Sequence, residues 1–216
     1  MNKPLNKYID HTLLKPDATK DDIEKLCQEA KEYDFYSVCV NSCWVKLAKE
    51  LLEGTDVKIA AVVGFPLGAM VSDSKAYETA AASRDGASEI DMVMDIGHFK
   101  SKDYDTVQND ISMVVEAAKE FGSIVKVIIE TGLLSSEEIV KACQISEAAG
   151  AAFVKTSTGF GYGGAEIEHV KLMRESVSEN VDVKASGGIR DKDTALKMIE
   201  AGAGRIGTSS GIKIVE

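Results

Sequence analysis

Eight short apolar runs, separated by amphipathic stretches, are the feature that most constrains how this chain can fold. The runs cover residues 8–13, 35–40, 57–63, 89–94, 124–130, 152–155, 181–185 and 205–207. Most of the later runs are continuously apolar, which is typical of strands in a parallel sheet that helices cover. Because a unit of one strand and one helix repeats about every 25–30 residues, we predict an α/β fold, a closed (β/α)8 barrel of the TIM type.

The helical stretches carry their own start and stop signals. Thr19 followed by Asp22 predicts a capping box at the start of the first long helix. Glycine is typical of the position just after a helix end, where the backbone becomes left-handed. Four helical stretches end in this way, at Gly86, Gly122, Gly150 and Gly202.

A doubly wound open sheet is the alternative arrangement of the same units. It is disfavoured because no GxGxxG motif follows the first apolar run. No linker, low-complexity stretch or charge block divides the chain. We therefore expect a single domain over residues 1–216.

The amino-acid composition argues against some classes of binding partner. The 216 residues carry a formal net charge of −10 and a pI of about 4.9. A chain this acidic repels a phosphate backbone, so we expect no nucleic acid partner. A small phosphorylated metabolite is still compatible, because a nest of backbone N–H groups does not depend on net charge. Residues 1–12 lack the apolar core of a signal peptide, and no run approaches the roughly 20 residues of a membrane span, so we expect no membrane association.

Four cysteines, Cys27, Cys39, Cys43 and Cys143, bear on the compartment. Cys39 and Cys43 are close in sequence, but no histidine cluster accompanies them, which disfavours a zinc site. We expect small buried side chains in a reducing compartment, and hence a cytoplasmic protein.

Charged residues interrupt or end several of the predicted strands, where a charge is costly unless it is paired or functional. Asp91 lies inside the fourth run and Lys126 inside the fifth, while Lys155 and Lys184 end the sixth and seventh. Any one alone would indicate a structural ion pair, and Glu130 has the strand parity to pair with Lys126 inside the barrel. Together, Lys155 and Lys184 mark the face where barrel enzymes build their active sites.

Two neighbouring lysines suit covalent catalysis. A lysine amine must be neutral to attack a carbonyl, and its reference pKa of about 10.4 leaves almost all of it protonated near neutral pH. Burial and a second cation both lower that pKa. We therefore predict Schiff-base chemistry at Lys155 or Lys184, with Asp91 as proton donor and acceptor. Position in the sequence leaves open which lysine attacks.

Two loops of small residues near the end of the chain suit a phosphate group. Gly187 and Gly188 follow the seventh run, and Ser209 and Ser210 follow the eighth. Small residues let backbone N–H groups approach a ligand, and a helix beginning at Ser209 would direct its positive end at an anion. Because barrels frequently bind phosphate at these two loops, we predict a phosphate site there.

Six motifs are similar to those of a known family. They are IDHTLL at 9–14, EIDMV at 89–93, VKVIIET at 125–131, KTSTG at 155–159, VKASGGIR at 183–190 and GTSS at 207–210. On these motifs the chain resembles the deoxyribose-phosphate aldolases, class I aldolases, over essentially its whole length. The resemblance implies a lyase that reversibly cleaves 2-deoxy-D-ribose 5-phosphate to D-glyceraldehyde 3-phosphate and acetaldehyde, in deoxyribose phosphate catabolism, without a metal or other cofactor. We also expect a homo-oligomer, a dimer or a tetramer.

The resemblance also implies roles for individual residues. The lysine matching Lys155 forms the Schiff base, Lys184 is a proton donor and acceptor that perturbs its pKa, and Asp91 transfers protons. The positions that match the substrate pocket and the phosphate grip are Asp10, Thr12, Cys39, Gly187, Gly188, Ser209 and Ser210.

The chain departs from the family pattern after KTSTG. Tyr162 and Glu166 occupy two places where the shorter members usually carry other residues. Glu166 replaces a small hydroxyl side chain near a helix start, where we expect its carboxylate to cap the helix. The sequence stops at Glu216 without the tail ending in tyrosine that some longer relatives carry, so we expect other groups to serve proton transfer.

Other functions fit part of the pattern. Another Schiff-base barrel aldolase, acting on a different phosphosugar or keto acid, would be distinguished by its products. A non-catalytic phospho-metabolite binding protein would form no imine, and the presence of Asp91, Lys155 and Lys184 argues against it. A metal-dependent aldolase is disfavoured because no His/Glu ligand set stands out.

Overall fold

A computed structural model describes residues 3–216, and within them eight parallel strands close into a barrel in chain order. The strands are β1 (Ile9–Leu13), β2 (Ser37–Asn41), β3 (Lys58–Val63), β4 (Glu89–Val93), β5 (Ile124–Ile128), β6 (Phe153–Lys155), β7 (Asp182–Ser186) and β8 (Arg205–Thr208). β8 pairs with β1 and closes the sheet. The predicted (β/α)8 barrel is confirmed, and the open doubly wound sheet is not what forms.

Helices follow the strands around the outside of the barrel. They are α1 (Lys20–Glu32), α2 (Val45–Leu51), α3 (Ser72–Asp85), α4 (Ile96–Lys100), α5 (Tyr104–Lys119), α6 (Ser136–Ala148), α7 (Ile167–Ser176), α8 (Lys192–Glu200) and α9 (Gly211–Val215). Short 3-10 helices lie at Leu5–Tyr8, Ser42–Trp44 and Thr131–Leu133. None of the helices that the structure describes is both long enough and apolar enough to cross a membrane.

The local signals for helix ends are confirmed where they were strongest. Thr19 and Asp22 form the predicted capping box at the start of α1. The four helix-ending glycines all have positive φ, from 73° at Gly122 to 122° at Gly86. The helix expected to begin at Ser209 is wrong by two residues, because α9 begins at Gly211 and is only five residues long.

The main hydrophobic core lies between the barrel and the helices. It takes alternate residues of the strands, such as Val38 and Val40 of β2 or Ile90 and Met92 of β4. The other parity points into the barrel, because successive side chains of a strand leave opposite faces. There the apolar residues form a separate small cluster of Leu14, Cys39, Ala60 and Val62, with Phe65 packed against it.

A buried ion pair joins two helices outside the barrel. The Nζ of Lys75 on α3 lies 2.6 Å from Asp110 Oδ2 on α5 and donates to the carbonyl of Val93 at 3.0 Å. Neither side chain is exposed by more than 2%. This pair crosslinks the two helices, and the helical pattern of the sequence did not reveal it.

Candidate active site

The strand register brings the predicted charges together inside the barrel. Asp91 of β4 is the register partner of Lys126 on β5, and Lys155 of β6 is the partner of Lys184 on β7. Lys184 is in turn the partner of Arg205 on β8. Because register partners on neighbouring parallel strands point to the same face, all five side chains enter the barrel interior.

Asp91 is the centre of this cluster. Its Oδ2 accepts hydrogen bonds from Lys155 Nζ and Lys184 Nζ, each at 2.7 Å, and its Oδ1 accepts one from Lys126 Nζ at 2.7 Å. Asp91 has no exposed surface, and the Sγ of Cys39 lies 4.0 Å from its Oδ2. The structure thus joins Asp91 to both lysines singled out from the sequence and to a third.

Three more buried charges extend the cluster. Lys184 Nζ lies 2.5 Å from Asp10 Oδ2. A guanidinium nitrogen of Arg205 donates to Asp10 Oδ1 at 2.8 Å and to Glu89 Oε2 at 3.1 Å. Lys126 Nζ lies 2.6 Å from that Glu89 oxygen. Sequence reasoning missed Arg205 and Glu89 because each is the first residue of its strand, where a charge is ordinarily solvated.

The two strand-end lysines ionise differently. Burial, reinforced by the charge of Lys184, lowers the pKa of Lys155 below its usual 10.5 in spite of the attraction of Asp91. Burial acts on Lys184 in the same direction, but Asp10 and Asp91 outweigh it and raise the pKa of Lys184. Lys184 contacts two carboxylates, whereas Lys155 contacts one that it shares with two other lysines. The Lys155 amine is therefore closer to the neutral form that attacks a carbonyl.

The carboxylates and the thiol of the cluster have shifted pKa values as well. Burial alone would raise the pKa of Asp91, but its three lysine partners hold the pKa well below 3.8. Lys184 and Arg205 likewise outweigh burial and lower the pKa of Asp10. Burial raises the pKa of the Cys39 thiol. At neutral pH both aspartates are therefore ionised and the thiol is neutral.

A cavity of about 250 Å³ opens at the carboxyl ends of the strands. Five of the residues singled out from the sequence line it, namely Thr12, Lys155, Gly187, Gly188 and Ser209. Asp10, Asp91 and Lys184 lie behind its wall with no exposed surface. Ser210 stands beside it, half-buried, and its N–H donates to Thr208 Oγ1. Of the three barrel lysines Lys126, Lys155 and Lys184, it is Lys155 that reaches the cavity.

Two exposed cations also line this cavity, Lys15 after β1 and Arg190 after β7. They bring positive charge to the mouth of the cavity although the chain as a whole carries −10. Sequence reasoning gave neither a role, because isolated surface cations of this kind are ordinary in any sequence.

Glycines let the loops after β6 and β7 touch backbone to backbone. The N–H of Ala165 donates to the carbonyl of Gly187 at 2.9 Å. A Cβ at Gly164 would lie 2.4 Å from that oxygen, and one at Gly187 would lie 2.9 Å from Gly164 Cα. Gly187 therefore has a packing role in addition to any contact with a ligand.

The two departures from the family pattern lie in this same loop. The Tyr162 side chain is half-exposed, and its carbonyl oxygen lies so close to Gly132 that a Cβ there would be 1.5 Å away. Glu166 is the N-cap of α7, but its side chain makes no capping hydrogen bond. The expected carboxylate cap is therefore wrong.

Glu130 does not pair with Lys126, so that expectation is also wrong. Glu130 lies beyond the end of β5 in a left-handed conformation, with φ of 55°, so strand parity no longer sets its direction. Its carboxylate instead accepts from the N–H of Thr158 at 3.2 Å and from the Thr158 hydroxyl at 2.5 Å. Because Thr158 lines the cavity, Glu130 holds part of the cavity wall in place.

Comparison with known proteins shows the family to which this chain belongs. A model described as DeoC/LacD family aldolase matches residues 5–216. The chain belongs to this aldolase family.

Several relatives of this aldolase match it over nearly the whole chain. A deoxyribose-phosphate aldolase from Brevibacillus brevis is 60% identical over 211 residues, covering 98% of this chain and 95% of the relative. One from Finegoldia magna is 61% identical over 212 residues, covering 98% and 99%. Among solved structures, a tetrameric deoxyribose phosphate aldolase from Aeropyrum pernix superposes with a TM-score of 0.91 at 35% identity, covering 98% of this chain and 89% of that one.

Proposed function

We propose that this aldolase reversibly cleaves 2-deoxy-D-ribose 5-phosphate to acetaldehyde and D-glyceraldehyde 3-phosphate through a Schiff base on Lys155. One observation carries the assignment of the nucleophile. Lys155 is the barrel lysine that reaches the cavity, and its pKa is lowered, whereas the pKa of Lys184 is raised. The substrate is inferred from the relatives at 60–61% identity, which are named for it.

The reaction begins with the neutral amine of Lys155, which attacks the aldehyde carbon of the open-chain sugar. The carbinolamine loses its hydroxyl as water and becomes an iminium ion, a step that needs a proton donor. Lys184 Nζ and Asp91 Oδ2 are 2.7 Å apart, and the same Asp91 oxygen contacts Lys155, so a proton can pass to and from the reacting nitrogen. Both groups serve as donor and acceptor in this proposal.

Carbon–carbon cleavage uses the iminium ion as an electron sink. Loss of the proton from the C3 hydroxyl turns C3 into the aldehyde of glyceraldehyde 3-phosphate, and the electrons of the C2–C3 bond move to the enamine. A proton returned to C2 and addition of water to the iminium carbon then release acetaldehyde and free Lys155. No external oxidant, reductant or metal enters this balance.

The phosphate is assigned to the loops after β7 and β8. Gly187, Gly188 and Ser209 line the cavity with little or no side chain in the way of backbone N–H groups. Arg190 and Lys15 line the same cavity and add positive charge. Binding energy from a phosphate held there would position the reacting carbonyl at Lys155. Thr12 also lines the cavity, while Asp10 would act on the substrate through Lys184, which it contacts.

Trapping tests this assignment directly. We expect sodium borohydride with acetaldehyde to add a two-carbon unit to Lys155, detected by peptide mass spectrometry. Lys155→Ala should abolish both trapping and turnover, while Lys184→Ala should still be trapped but turn over far more slowly. Modification of Lys184 with Lys155 untouched would show that the nucleophile is misassigned. Acetaldehyde trapping without release of acetaldehyde from deoxyribose 5-phosphate would favour another Schiff-base aldolase, and no imine at all would favour a binding protein.

The biological setting is part of the same proposal. We place the enzyme in the cytoplasm, where the four free cysteines Cys27, Cys39, Cys43 and Cys143 stay reduced. We also propose that residues 1–216 act as one catalytic domain and assemble into a homo-oligomer. The named tetramer from Aeropyrum pernix and exposed apolar side chains around α3 support assembly.

A further inference from the structure

The buried charges inside the barrel form a closed ring. Around it, Asp91 contacts Lys184, Lys184 contacts Asp10, and Asp10 contacts Arg205. Arg205 contacts Glu89, and Glu89 contacts Lys126. Lys126 contacts Asp91 Oδ1, the second oxygen of that carboxylate, and this contact closes the ring. The successive nitrogen–oxygen distances lie between 2.5 and 3.1 Å. The six side chains are at most 4% exposed.

Charges alternate in sign around this ring. Its acidic members are Asp10, Glu89 and Asp91, and its basic members are Lys126, Lys184 and Arg205. Carboxylates and cations alternate around the ring, and a longer contact of 3.8 Å between Lys126 Nζ and Asp10 Oδ2 crosses it. The ring is therefore neutral when all six groups are ionised. Among the residues that the structure describes, Lys155 forms its ion pair with the ring at Asp91 Oδ2. A proton on Lys155 would therefore add one uncompensated positive charge to a buried, neutral cluster, which is costly.

We propose that this ring, and Lys126 in particular, favours the neutral form of Lys155 because the ring cations already neutralise the carboxylates around it. Lys126 does not reach the cavity and so acts as a positioning residue. Its Nζ lies 2.7 Å from Asp91 Oδ1. The Asp91 oxygen that remains for Lys155 is therefore Oδ2, which Lys155 shares with Lys184. The proposal rests on the Schiff-base function and adds how the nucleophile is prepared for it.

Six strands contribute ionisable side chains to the barrel interior around Lys155. β1 contributes Asp10, β2 the Cys39 thiol, β4 Asp91 and Glu89, β5 Lys126, β7 Lys184 and β8 Arg205. β3 contributes the apolar residues Ala60 and Val62. The pKa of Cys39 is raised by burial, so the thiol adds no charge near neutral pH.

Removing one ring charge should move the Lys155 pKa in a direction set by the sign of that charge. Lys126→Met leaves three carboxylates with two ring cations, so a proton on Lys155 would restore neutrality and its pKa rises. Glu89→Gln leaves three cations with two carboxylates, so a further positive charge is disfavoured and the pKa of Lys155 falls. A charge within about 4–6 Å changes a pKa by roughly one pH unit or more. Lys126 and Glu89, however, act on Lys155 through other members of the ring, so we expect shifts of up to about one pH unit, larger for Lys126→Met than for Glu89→Gln. The double variant removes one charge of each sign and should return close to wild type.

The experiment measures the Lys155 amine itself. Trace acetic anhydride labelling across a pH series, read as acetylation of the peptide containing Lys155, gives its pKa without any substrate. In parallel, kcat/KM should follow the same ionisation, because only the neutral amine attacks. For Lys126→Met the acid limb of kcat/KM moves to higher pH. Where the Lys155 pKa lies above the assay pH, activity falls about tenfold for each pH unit by which that pKa rises, and it recovers in more alkaline buffer. Glu89→Gln moves the limb to lower pH.

Lys75→Met is the matched control. Lys75 is as buried as Lys126 and is paired with Asp110, but it lies outside the barrel, so its loss should lower thermal stability without moving either profile. If Lys126→Met does not fold, Glu89→Gln and the double variant still carry the test. The proposal would be overturned if Lys126→Met and Glu89→Gln shifted the Lys155 pKa in the same direction, or if neither variant changed the pH profiles of labelling and kcat/KM. A wild-type enzyme that labels normally at Lys155 but forms no imine would instead count against the proposed function.

Discussion

At the scale of single residues, the two carboxylate oxygens of Asp91 bind three ammonium groups. These contacts determine how a substitution of Asp91 would change activity and stability. Its Oδ2 bridges Lys155 and Lys184, and its Oδ1 binds Lys126. The sequence allowed two accounts of Asp91, a structural counter-ion or a proton relay. The contacts make these accounts compatible, since the oxygen that neutralises Lys184 is the one that can pass a proton to Lys155.

Asp91→Asn should therefore show both effects. An amide cannot take up a proton, so exchange of the acetaldehyde methyl hydrogens with deuterated solvent should slow by about 100-fold or more, measured by NMR. The lysines lose their shared carboxylate, so unfolding should also become easier, by roughly 3–5 kcal/mol.

Asp110→Asn provides the comparison for this variant. Asp110 is the buried partner of Lys75 outside the barrel, so its loss should lower stability in a similar way while exchange stays normal. Near-normal exchange in a folded Asp91→Asn variant would remove Asp91 from proton transfer.

At the scale of elements, the cavity wall is built by loops that hold one another. The loop after β5 holds the loop after β6 through Glu130 and Thr158, and the loop after β6 packs on the loop after β7 through Gly164 and Gly187. Each contact joins consecutive βα units, so the phosphate loops depend on the neighbouring loop as well as on their own residues.

The phosphate assignment separates two adjacent serines. Ser209 lines the cavity, whereas Ser210 stands beside it. We expect Ser209→Asp to raise the KM for deoxyribose 5-phosphate strongly through charge repulsion, with a smaller effect from Ser210→Asp. Gly188→Val should act in the same direction, because Gly188 has φ of 79° and L side chains are strained there.

Unphosphorylated deoxyribose is the control substrate for these variants. Its kcat/KM should change little, because the remote phosphate supplies binding energy only when it is present. Equal losses for the two sugars would contradict a phosphate site at these loops.

At the scale of the whole molecule, several exposed apolar side chains lie on the segment after β3 and on α3. Leu67 and Val71 are 64% and 69% exposed, Tyr77 is 75% exposed, and Met70 stands between them in the chain. Apolar side chains grouped on a surface often mark a contact with another protein. These side chains support the proposed homo-oligomer, with a second copy of the chain as the partner.

Light scattering after size-exclusion chromatography tests this assembly. We expect the wild type to elute as a dimer or tetramer and the double variant Val71→Glu/Tyr77→Glu to shift toward the monomer. Phe121→Glu changes an exposed apolar residue in the turn after α5 and should leave the assembly unchanged. A monomeric wild type at micromolar concentration would contradict the proposal.

The sequence alone was sufficient to predict the barrel and the strands that carry Asp91, Lys126, Lys155 and Lys184. The positions of the strands, the capping box of α1 and the helix-ending glycines depend on local patterns of residues, which short segments carry by themselves. For this reason the predicted strand at 89–94 is found as Glu89–Val93, with Asp91 at its middle.

The tertiary structure decided which charges meet and how they ionise. The backbone is left-handed at Glu130, so its side chain does not follow the alternation of β5. Its carboxylate accepts a hydrogen bond from Thr158 on the next loop instead. Arg205 and Asp10 lie 195 positions apart and touch only because β8 pairs with β1. A pKa depends on burial and on every nearby charge. Lys155 and Lys184 end their strands in the same local pattern, but in the closed barrel Lys155 contacts one carboxylate and Lys184 contacts two. Their pKa values are therefore shifted in opposite directions.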